Sequence, residues 1–201
     1  MKAFVVCPTA GIVDYRTVCA LLKIYKDPRC LDIFFPEYNP VERGYNRAVE
    51  EFLKTDATHM LSIEVDNVPE KNPLELLELD KDILGCPYPI SMANEMYLTA
   101  LKLTKNQQGG YDGKPVTGKG LMEVDAVCMG CTMISRRVLE NMKYPFRSEY
   151  HENGKLKVGF DYNFCIRAKE AGWKVWTHFD YMVDHIKGGV SLLQVYRSLT
   201  K

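Results

Sequence analysis

Short apolar runs alternate with helical patterns along the first half of the chain. The runs have the length and character of buried strands, and they lie at residues 3–7, 31–35, 60–65 and 82–86. Helical segments are predicted between them, and these lie at residues 14–26, 41–53 and 72–79. Strands that alternate with helices in this order favour a parallel sheet, because parallel neighbours need a crossover connection.

The second half of the chain has a less regular pattern. A polar, glycine-rich stretch at residues 104–120 (TKNQQGGYDGKPVTGKG) predicts a mobile loop. A strand, two helices and a last strand are predicted after it, at residues 123–134, 137–142, 160–171 and 173–176. Gly172 is well placed to end the second of these helices, because glycine readily adopts the left-handed conformation at a helix C-terminus.

We therefore predict an α/β fold in which a mostly parallel central sheet is covered by helices on both faces. A length of 201 residues favours one domain over residues 1–201, with a single active site. Ligands of such sheets gather at the carboxyl ends of the strands, so the candidate residues are sought there.

Composition narrows the class of protein. The 26 basic and 26 acidic side chains cancel, so no overall field attracts nucleic acid or an anionic membrane, and only a local patch could do so. The N-terminal apolar stretch is too short for a signal peptide, and no segment is apolar for long enough to span a membrane. An odd count of seven scattered cysteines is typical of buried thiols rather than of a disulfide framework. These features predict a cytoplasmic protein.

Two carboxylates follow the third predicted strand. Glu64 and Asp66 stand one residue apart, and side chains alternate along a strand with a period of two, so both can point the same way. Carboxylate oxygens are hard ligands that suit Mg²⁺ or Mn²⁺, and such an ion can bridge the phosphates of a nucleotide. Taken alone, an acidic pair after a strand is more often a solvated turn, so its context matters.

That context resembles the GT-A glycosyltransferases, in particular their small family-2-like and viral or phage members. The run THMLSIEVDNVPEKNPLELLELDKDILGCPYP is similar to the region around their DxD motif. VDAVCMGCTMISRRVLENMKYPF, which contains Gly130, is similar to the later strand that faces the acceptor. GFDYNFCIRAKEAGWKVW is similar to the segment with the family's ED motif, and His185 in DHIKGG stands where a metal-binding histidine follows. The opening CPTAG and the helix NRAVEEFL also fall in order, so the resemblance spans nearly the whole chain.

Three positions depart from the family's pattern. Glu64 stands where the first Asp of the DxD motif is expected. Tyr45 precedes Asn46 where an Arg-Asn pair often opens the early helix, and Arg43 lies nearby as a substitute. Phe160 replaces the first acid of the ED motif, so that only Asp161 is kept. These changes concern donor binding more than the fold.

The resemblance implies a GT-A type, Rossmann-like fold and transfer of a sugar from a nucleotide-diphosphate sugar, a UDP-sugar first, to a glycan or other hydroxyl acceptor. It implies that Glu64, Asp66 and His185 hold Mn²⁺ or Mg²⁺, and imidazole favours manganese. It makes Asp161 the general base that takes the acceptor's proton in an inverting displacement. Without the family context, Asp161 would be a helix-capping residue and His185 a surface histidine beside Asp184.

The donor is expected to bind after the first and third strands and at nearby polar side chains. The residues implied by the resemblance are Pro8, Thr9, Ala10, Gly11, Arg43, Asn46, Glu64, Val65, Asp66 and Gly130. Tyr15 and Arg16 are further candidates. Residues 1–90 then form the nucleotide-sugar-binding half, and residues 91–201 the acceptor and catalytic half.

Two other functions fit the same architecture. A nucleotidyltransferase shares the alternating order and the need for metal, but it normally has a glycine-rich loop with a basic residue after the first strand, and CPTAGIVDYR is poor in that respect. A module that binds sugar or nucleotide without turnover is compatible with the altered motifs. A nicotinamide enzyme is disfavoured because no GxGxxG follows a strand.

Overall fold

The computed structural model of the chain describes residues 1–37, 39–92, 95–107 and 109–200, and its elements follow the alternating order of the sequence. Within these ranges the α-helices are α1 (Tyr15–Tyr25), α2 (Val41–Leu53), α3 (Arg136–Glu140), α4 (Phe160–Glu170) and α5 (Leu192–Leu199), and a 3₁₀ helix spans Pro73–Leu79. The strands are β1 (Ala3–Val6), β2 (Cys30–Phe34), β3 (His59–Ile63), β4 (Asn67–Pro69), β5 (Ile83–Gly85), β6 (Pro89–Met92), β7 (Glu95–Leu98), β8 (Ala100–Lys105), β9 (Tyr111–Pro115), β10 (Leu121–Val124), β11 (Ala126–Val127), β12 (Cys131–Ser135), β13 (Glu149–Tyr150), β14 (Leu156–Val158), β15 (Val175–His178), β16 (Val183–Lys187) and β17 (Val190–Ser191).

A mixed sheet of seven strands, counted over the described ranges, is the centre of the fold. Its order is β10-β15-β5-β12-β3-β1-β2. The pairs β1–β2, β1–β3 and β5–β15 are parallel, whereas β12 is antiparallel to β3 and β5, and β10 is antiparallel to β15. All strands of this sheet except β12 and β10 therefore point the same way. The prediction of a mostly parallel sheet is confirmed in this sense, and the reversed β12 was not predicted because an apolar run has no direction.

The helices of the first half form where the pattern predicts them. Asp14 caps α1, since its Oδ1 accepts a hydrogen bond from the backbone N–H of Arg16 at 2.9 Å. The segment predicted as a helix after residue 72 is the 3₁₀ helix, and Asn72 Oδ1 caps it by accepting from the N–H of Leu74 at 3.1 Å. Both helices begin within one residue of the predicted positions.

Alternating side chains of the central strands enter two separate hydrophobic clusters. Phe4 and Met60 belong to a cluster that contains buried residues of α2, α3 and α4. Val5 and Leu61, one position further along their strands, belong to a cluster that contains buried residues of α1 and the 3₁₀ helix. Because both sides of β1 and β3 are buried, these strands are continuous apolar runs rather than alternating ones.

Two predictions for the second half are wrong. Residues 104–120 are not a loop throughout, because the end of β8 and the whole of β9 lie in this segment and pair as an antiparallel hairpin. Gln108 of this segment lies outside the described residues. The strand predicted at 123–134 is divided among β10, β11 and β12. The strand β9 is almost wholly exposed and therefore needs no apolar residues, so its polar composition is similar to that of a loop.

Helix length and the state of the cysteines complete the description of the fold. Within the described ranges, no helix is both long enough and apolar enough to cross a lipid bilayer. The seven cysteines are free thiols, of which Cys19 is exposed and the others are buried or half-buried. In the CxxC pair Cys131 is buried and Cys128 is half-buried, so the two thiols have different surroundings.

Candidate functional site

A short ladder between β4 and β16 joins the end of the third predicted strand to the C-terminal part of the chain. Asn67 pairs with His185 in this antiparallel ladder, and the N–H of Ile186 donates to the carbonyl oxygen of Asp66 at 2.8 Å. The ladder places His185 Nε2 3.6 Å from Asp66 Oδ2. Two predicted metal ligands that are far apart in the sequence therefore lie side by side.

His185 is buried and held in one orientation. Its Nδ1 lies 3.1 Å from the carbonyl oxygen of Pro89, and its ring packs edge-on against Tyr88 with centroids 5.1 Å apart. A carbonyl oxygen can only accept, so Nδ1 carries the proton in this contact, and Nε2 is the ring nitrogen that faces Asp66. This is the arrangement by which proteins orient a metal-binding histidine.

Asp66 is surrounded by hydrogen-bond donors. Lys187 Nζ donates to Asp66 Oδ2 at 2.6 Å, and Asn67 Nδ2 donates to Oδ1 at 3.1 Å. Burial opposes ionisation of this carboxyl, but the interactions with His185 and Lys187 outweigh burial and lower its pKa to about 2. Asp66 is therefore an anion at neutral pH.

Glu64 is held differently, although it follows the same strand. Tyr45 Oη donates to Glu64 Oε1 at 3.0 Å and also lies 2.9 Å from Ser62 Oγ. Burial raises the pKa of Glu64 to about 7; the hydrogen bond from Tyr45 lowers it, and the negative charge of Asp161 adds to the increase. Tyr45 and Glu64, two of the residues that depart from the pattern of the resemblance, thus contact each other.

Asp161 lies in the first turn of α4, as predicted. Its Oδ1 accepts from the backbone N–H of Tyr162 at 2.8 Å, and the thiol of Cys128 donates to Tyr162 Oη at 3.3 Å. Burial raises the pKa of Asp161, and the hydrogen bond from the backbone of Tyr162 lowers it in part. Tyr45, which donates to Glu64, packs against Phe160, the residue before Asp161, with ring centroids 5.3 Å apart, so the two carboxyl groups lie in one region of the molecule.

Gly130 is required by its neighbour Tyr88. A Cβ at position 130 would lie 2.5 Å from the Tyr88 ring, which is closer than any carbon contact tolerates. Tyr88 is itself buried and packs on His185. Tyr88 therefore lies between Gly130 and His185. Because glycine has no side chain, the Tyr88 ring can pack against the backbone at position 130.

The loop after β1 borders two adjoining clefts. One, of about 210 Å³, is lined by Pro8, Ala10, Ile12, Glu64, Val65, Asp66 and Lys187. The other, of about 580 Å³, is lined by Thr9, Ala10, Gly11, Phe35, Glu37 and Asn39. Ala10 lines both, so the predicted donor-binding residues of the first and third strands meet at one edge of the sheet.

The conformation of the loop after β1 explains why Thr9 and Gly11 occur in it. Thr9 Oγ1 accepts from the N–H of Gly11 at 3.0 Å and donates to the carbonyl oxygen of Ile12 at 3.2 Å. Gly11 has a φ of 104°, a conformation that favours glycine. Thr9 and Gly11 thus shape the loop that borders both clefts.

The structure does not bring Arg43 and Asn46 into these clefts. Asn46 Nδ2 donates to the carbonyl oxygens of Phe146 at 2.6 Å and Glu42 at 2.8 Å, which ties α2 to the segment after α3. Arg43 and Asn46 line a separate surface cleft with Arg47, Glu50 and Tyr144. Arg16 is engaged by Asp14, with Nη2 and Oδ2 2.8 Å apart.

The residues present fit a divalent ion in part. No group of three or more His, Cys, Asp or Glu side chains among the described residues is arranged to hold one, because Glu64 is engaged by Tyr45. Asp66 and His185 do supply a carboxylate oxygen and an imidazole nitrogen, which suit Mn²⁺. The amide oxygen of the adjacent Asn67 is buried without a hydrogen-bond partner in the described part of the chain. The protein thus offers a two-residue donor set.

Sequence reasoning missed Lys187 and Tyr88. Lys187 stands two residues after His185 on β16, so the strand period of two could have indicated that both side chains approach Asp66. Tyr88 lies in a proline-rich connection and had no signal, since only the tertiary fold brings it to His185.

Comparisons with known proteins show a shared fold without a close relative in sequence. No protein family and no curated protein matches the chain. The crystal structure of A197 from STIV matches with a TM-score of 0.71 and 18% identity, over 96% of this chain and 90% of A197.

Two further solved structures match less closely. GalNAc-T7 with UDP, GalNAc and Mn²⁺ matches with a TM-score of 0.55 and 9% identity, over 94% of this chain and 45% of GalNAc-T7. UDP-glucose pyrophosphorylase complexed with UDP-glucose matches with a TM-score of 0.52 and 7% identity, over 98% and 97% of the two chains. At these identities the likeness is one of fold.

Proposed function

We propose that the chain is a GT-A type glycosyltransferase that moves a sugar from a nucleotide-diphosphate sugar to an acceptor hydroxyl. The observation that carries the proposal is the pairing of Asp66 with His185 beside the cleft after β1. Two solved structures that share the fold were obtained with UDP or UDP-glucose, which supports a UDP-sugar as the first donor to test.

Donor binding is assigned to the edge where β1 and β3 end. Asp66 and His185 would hold Mn²⁺, and a bound divalent ion stabilises the negative charge that builds on a departing diphosphate. The ammonium of Lys187 lines the same cleft and adds a positive charge for the phosphates. Pro8, Ala10 and Val65 supply the wall against which the nucleotide lies.

Acceptor activation is assigned to Asp161. Its carboxylate would take the proton of the acceptor hydroxyl as that oxygen attacks the anomeric carbon, which gives inversion in a single displacement. Burial raises the pKa of Asp161, and a more basic carboxylate is a better proton acceptor.

The two halves of the chain then have different functions in the reaction. Residues 1–90 would bind the nucleotide sugar, and residues 91–201 would bind the acceptor and supply Asp161. His185 belongs to the second half but reaches the donor side through the ladder of β16 with β4. In this arrangement helices cover both faces of the sheet, as in the GT-A fold.

The test combines donor binding with turnover. Thermal unfolding is followed with UDP-, GDP-, CMP- and dTDP-sugars, each with and without Mn²⁺, because a ligand of the native state raises its stability. The donor found is then used to measure release of the nucleoside diphosphate by the parent and by Asp161→Asn. We expect Asp161→Asn to keep metal-dependent donor binding and to lose about 10² to 10⁴-fold in turnover, the usual contribution of a general base.

Asp125→Asn is the matched control, because Asp125 is a partly buried carboxylate that pairs with Lys169 and Lys102 outside the clefts. It should turn over like the parent. An Asp161→Asn variant as fast as the parent would remove the base assignment, and full activity in excess EDTA would remove the metal. Donor binding without diphosphate release by the parent would indicate a binding module.

A nucleotidyltransferase is the second candidate, since the match to UDP-glucose pyrophosphorylase covers nearly all of both chains. Against it, the first basic residue after β1 is Arg16, whose guanidinium is held by Asp14. Incubation with a nucleoside triphosphate and a sugar 1-phosphate separates the two, because only a nucleotidyltransferase releases pyrophosphate.

A further inference from the structure

Helix α1 has two apolar faces, and only one of them is covered. Its inner face packs into the core through the buried residues Leu21 and Ile24. Its outer face presents large apolar side chains to solvent, which are Tyr15, Val18, Leu22 and Tyr25 with exposed fractions of 71%, 39%, 57% and 58%. A surface helix normally exposes polar residues on that side.

The exposed side chains form one stripe. Positions 15, 18, 22 and 25 follow the three- and four-residue spacing that places side chains above one another on a helix, so the stripe runs the length of α1, about 15 Å at 1.5 Å per residue. Ile12, exposed at 84%, lies three residues before the helix and lines the cleft that contains Asp66. Single exposed apolar residues are common, but a continuous stripe of this kind marks a contact surface.

The stripe has a basic border. Lys23 and Lys26 lie exposed on and directly after α1, and no acidic residue occurs between Tyr15 and Tyr25. A groove of about 370 Å³ beside the helix is lined by Arg16, Lys23 and Lys71. Glu70, an acidic residue of this groove, is neutralised by Arg197. The Nη1 and Nη2 atoms of Arg197 each lie 2.7 Å from one carboxylate oxygen of Glu70. Arg16 is likewise paired with Asp14, so the positive charge around the stripe comes from Lys23, Lys26 and Lys71.

We propose that the outer face of α1 docks on an anionic lipid surface, with the helix lying in the plane of the interface. A short helix that combines an apolar stripe, tyrosines at its ends and flanking lysines has the features of an interfacial helix. A second copy of the chain is a poorer occupant, because an isologous contact pairs the same surface of both copies and would bring two positive borders together. The proposal does not depend on the enzymatic function.

Co-sedimentation with vesicles tests the docking. The purified full chain is mixed with vesicles of phosphatidylcholine alone or of phosphatidylcholine with phosphatidylserine, at low and high salt. We expect binding to the anionic vesicles that weakens with salt and is absent on neutral vesicles. Leu22→Ser should lose most of the bound fraction, and Lys23→Glu with Lys26→Glu should weaken binding by about tenfold or more, since each lysine near the surface contributes several-fold.

Two variants control for apolarity and charge. Leu156→Ser removes a leucine exposed at 58% on β14, and Lys114→Glu with Lys119→Glu makes the same change of net charge elsewhere; both should bind like the parent. Circular dichroism confirms that each variant is folded. No binding to anionic vesicles, or equal loss in the control variants, overturns the proposal. A dimer in light scattering that Leu22→Ser converts to monomer, without vesicle binding, would assign the stripe to a second copy instead.

Discussion

Asp66 illustrates how much of the site depends on single side chains. His185 Nε2 and Lys187 Nζ approach the same oxygen of its carboxylate, at 3.6 and 2.6 Å. One neighbour is an imidazole nitrogen of the kind that binds metal, and the other is an amine that donates a hydrogen bond. The ammonium and a divalent ion therefore compete for one position on Asp66.

Removing the ammonium should tighten metal binding. In Lys187→Met the Oδ2 atom of Asp66 is free for coordination and a positive charge is lost, so we expect the Kd for Mn²⁺ to fall by about tenfold, or about 1.4 kcal/mol. Electron paramagnetic resonance of Mn²⁺ titrated into the protein measures free metal directly. Lys174→Met, which removes a surface lysine paired with Glu123 at 3.2 Å, should leave the Kd unchanged. Equal affinity of parent and Lys187→Met would contradict the competition.

His59 provides a test of burial away from the site. It begins β3, is only 2% exposed, and its Nδ1 lies 3.0 Å from Thr58 Oγ1. Burial lowers its pKa from 6.5 to about 4, so the unfolded chain binds this proton at a higher pH than the folded chain does. The folded state therefore loses stability as the pH falls through this window.

We expect the free energy of unfolding of the parent to drop between pH 6.5 and 4 by about 3 kcal/mol more than that of His59→Gln, which has no titrating ring. Urea unfolding at several pH values measures the difference. His151→Gln, a substitution of an exposed histidine, should keep the parent's slope. A parent and a His59→Gln variant with the same pH dependence would show that His59 titrates normally in the fold.

At the scale of elements, local signals set the ends of helices and failed for exposed strands. Asp14 and Asn72 cap the helices that follow them, and Gly172 follows α4 as predicted. The β8–β9 hairpin was missed because its stability comes from pairing between strands, which a polar sequence does not reveal.

Gly172 allows the prediction at its helix end to be measured. Its φ is 91°, and no atom lies within 4 Å of a Cβ built there, so a substitution meets backbone strain and no steric clash. Gly172→Ala should lower the free energy of unfolding by about 1 kcal/mol. Gly172→Asn should cost less, because asparagine tolerates the left-handed conformation. Urea unfolding compares the free energies of unfolding of the two variants. Equal losses of stability would mean that the left-handed conformation at position 172 is not the cause.

The ladder of β4 with β16 shows what strand pairing adds to the site. Glu64 and Asp66 could be found from the strand that precedes them, because both carboxyl groups lie within three consecutive residues at the end of that strand. The contacts of His185 with Asp66 and Pro89 depend on which strands pair. The sequence of either segment alone does not indicate its partner strand. The same holds for Arg43 and Asn46, whose cleft is separate from that of Asp66.

At the scale of the whole molecule, a net charge of zero conceals local differences. The clefts after β1 contain Glu64 and Asp66, whereas the groove beside α1 contains Arg16, Lys23 and Lys71. The separation arises because α1 packs its inner face on the sheet and turns its lysines outward, while the carboxylates follow β3 at the sheet's edge. Balanced composition therefore did not exclude a basic surface.

The sequence by itself determined the order of strands and helices in the first half, the caps of two helices and the carboxylates after β3, because periodicity, capping and strand ends are local properties. The tertiary structure alone decided that β12 runs against its neighbours, that Tyr88 and Lys187 join His185 and Asp66, and that the outer face of α1 stays uncovered. These outcomes depend on contacts between distant segments, and the free energy of such contacts is set by the whole packed molecule rather than by any one stretch of residues.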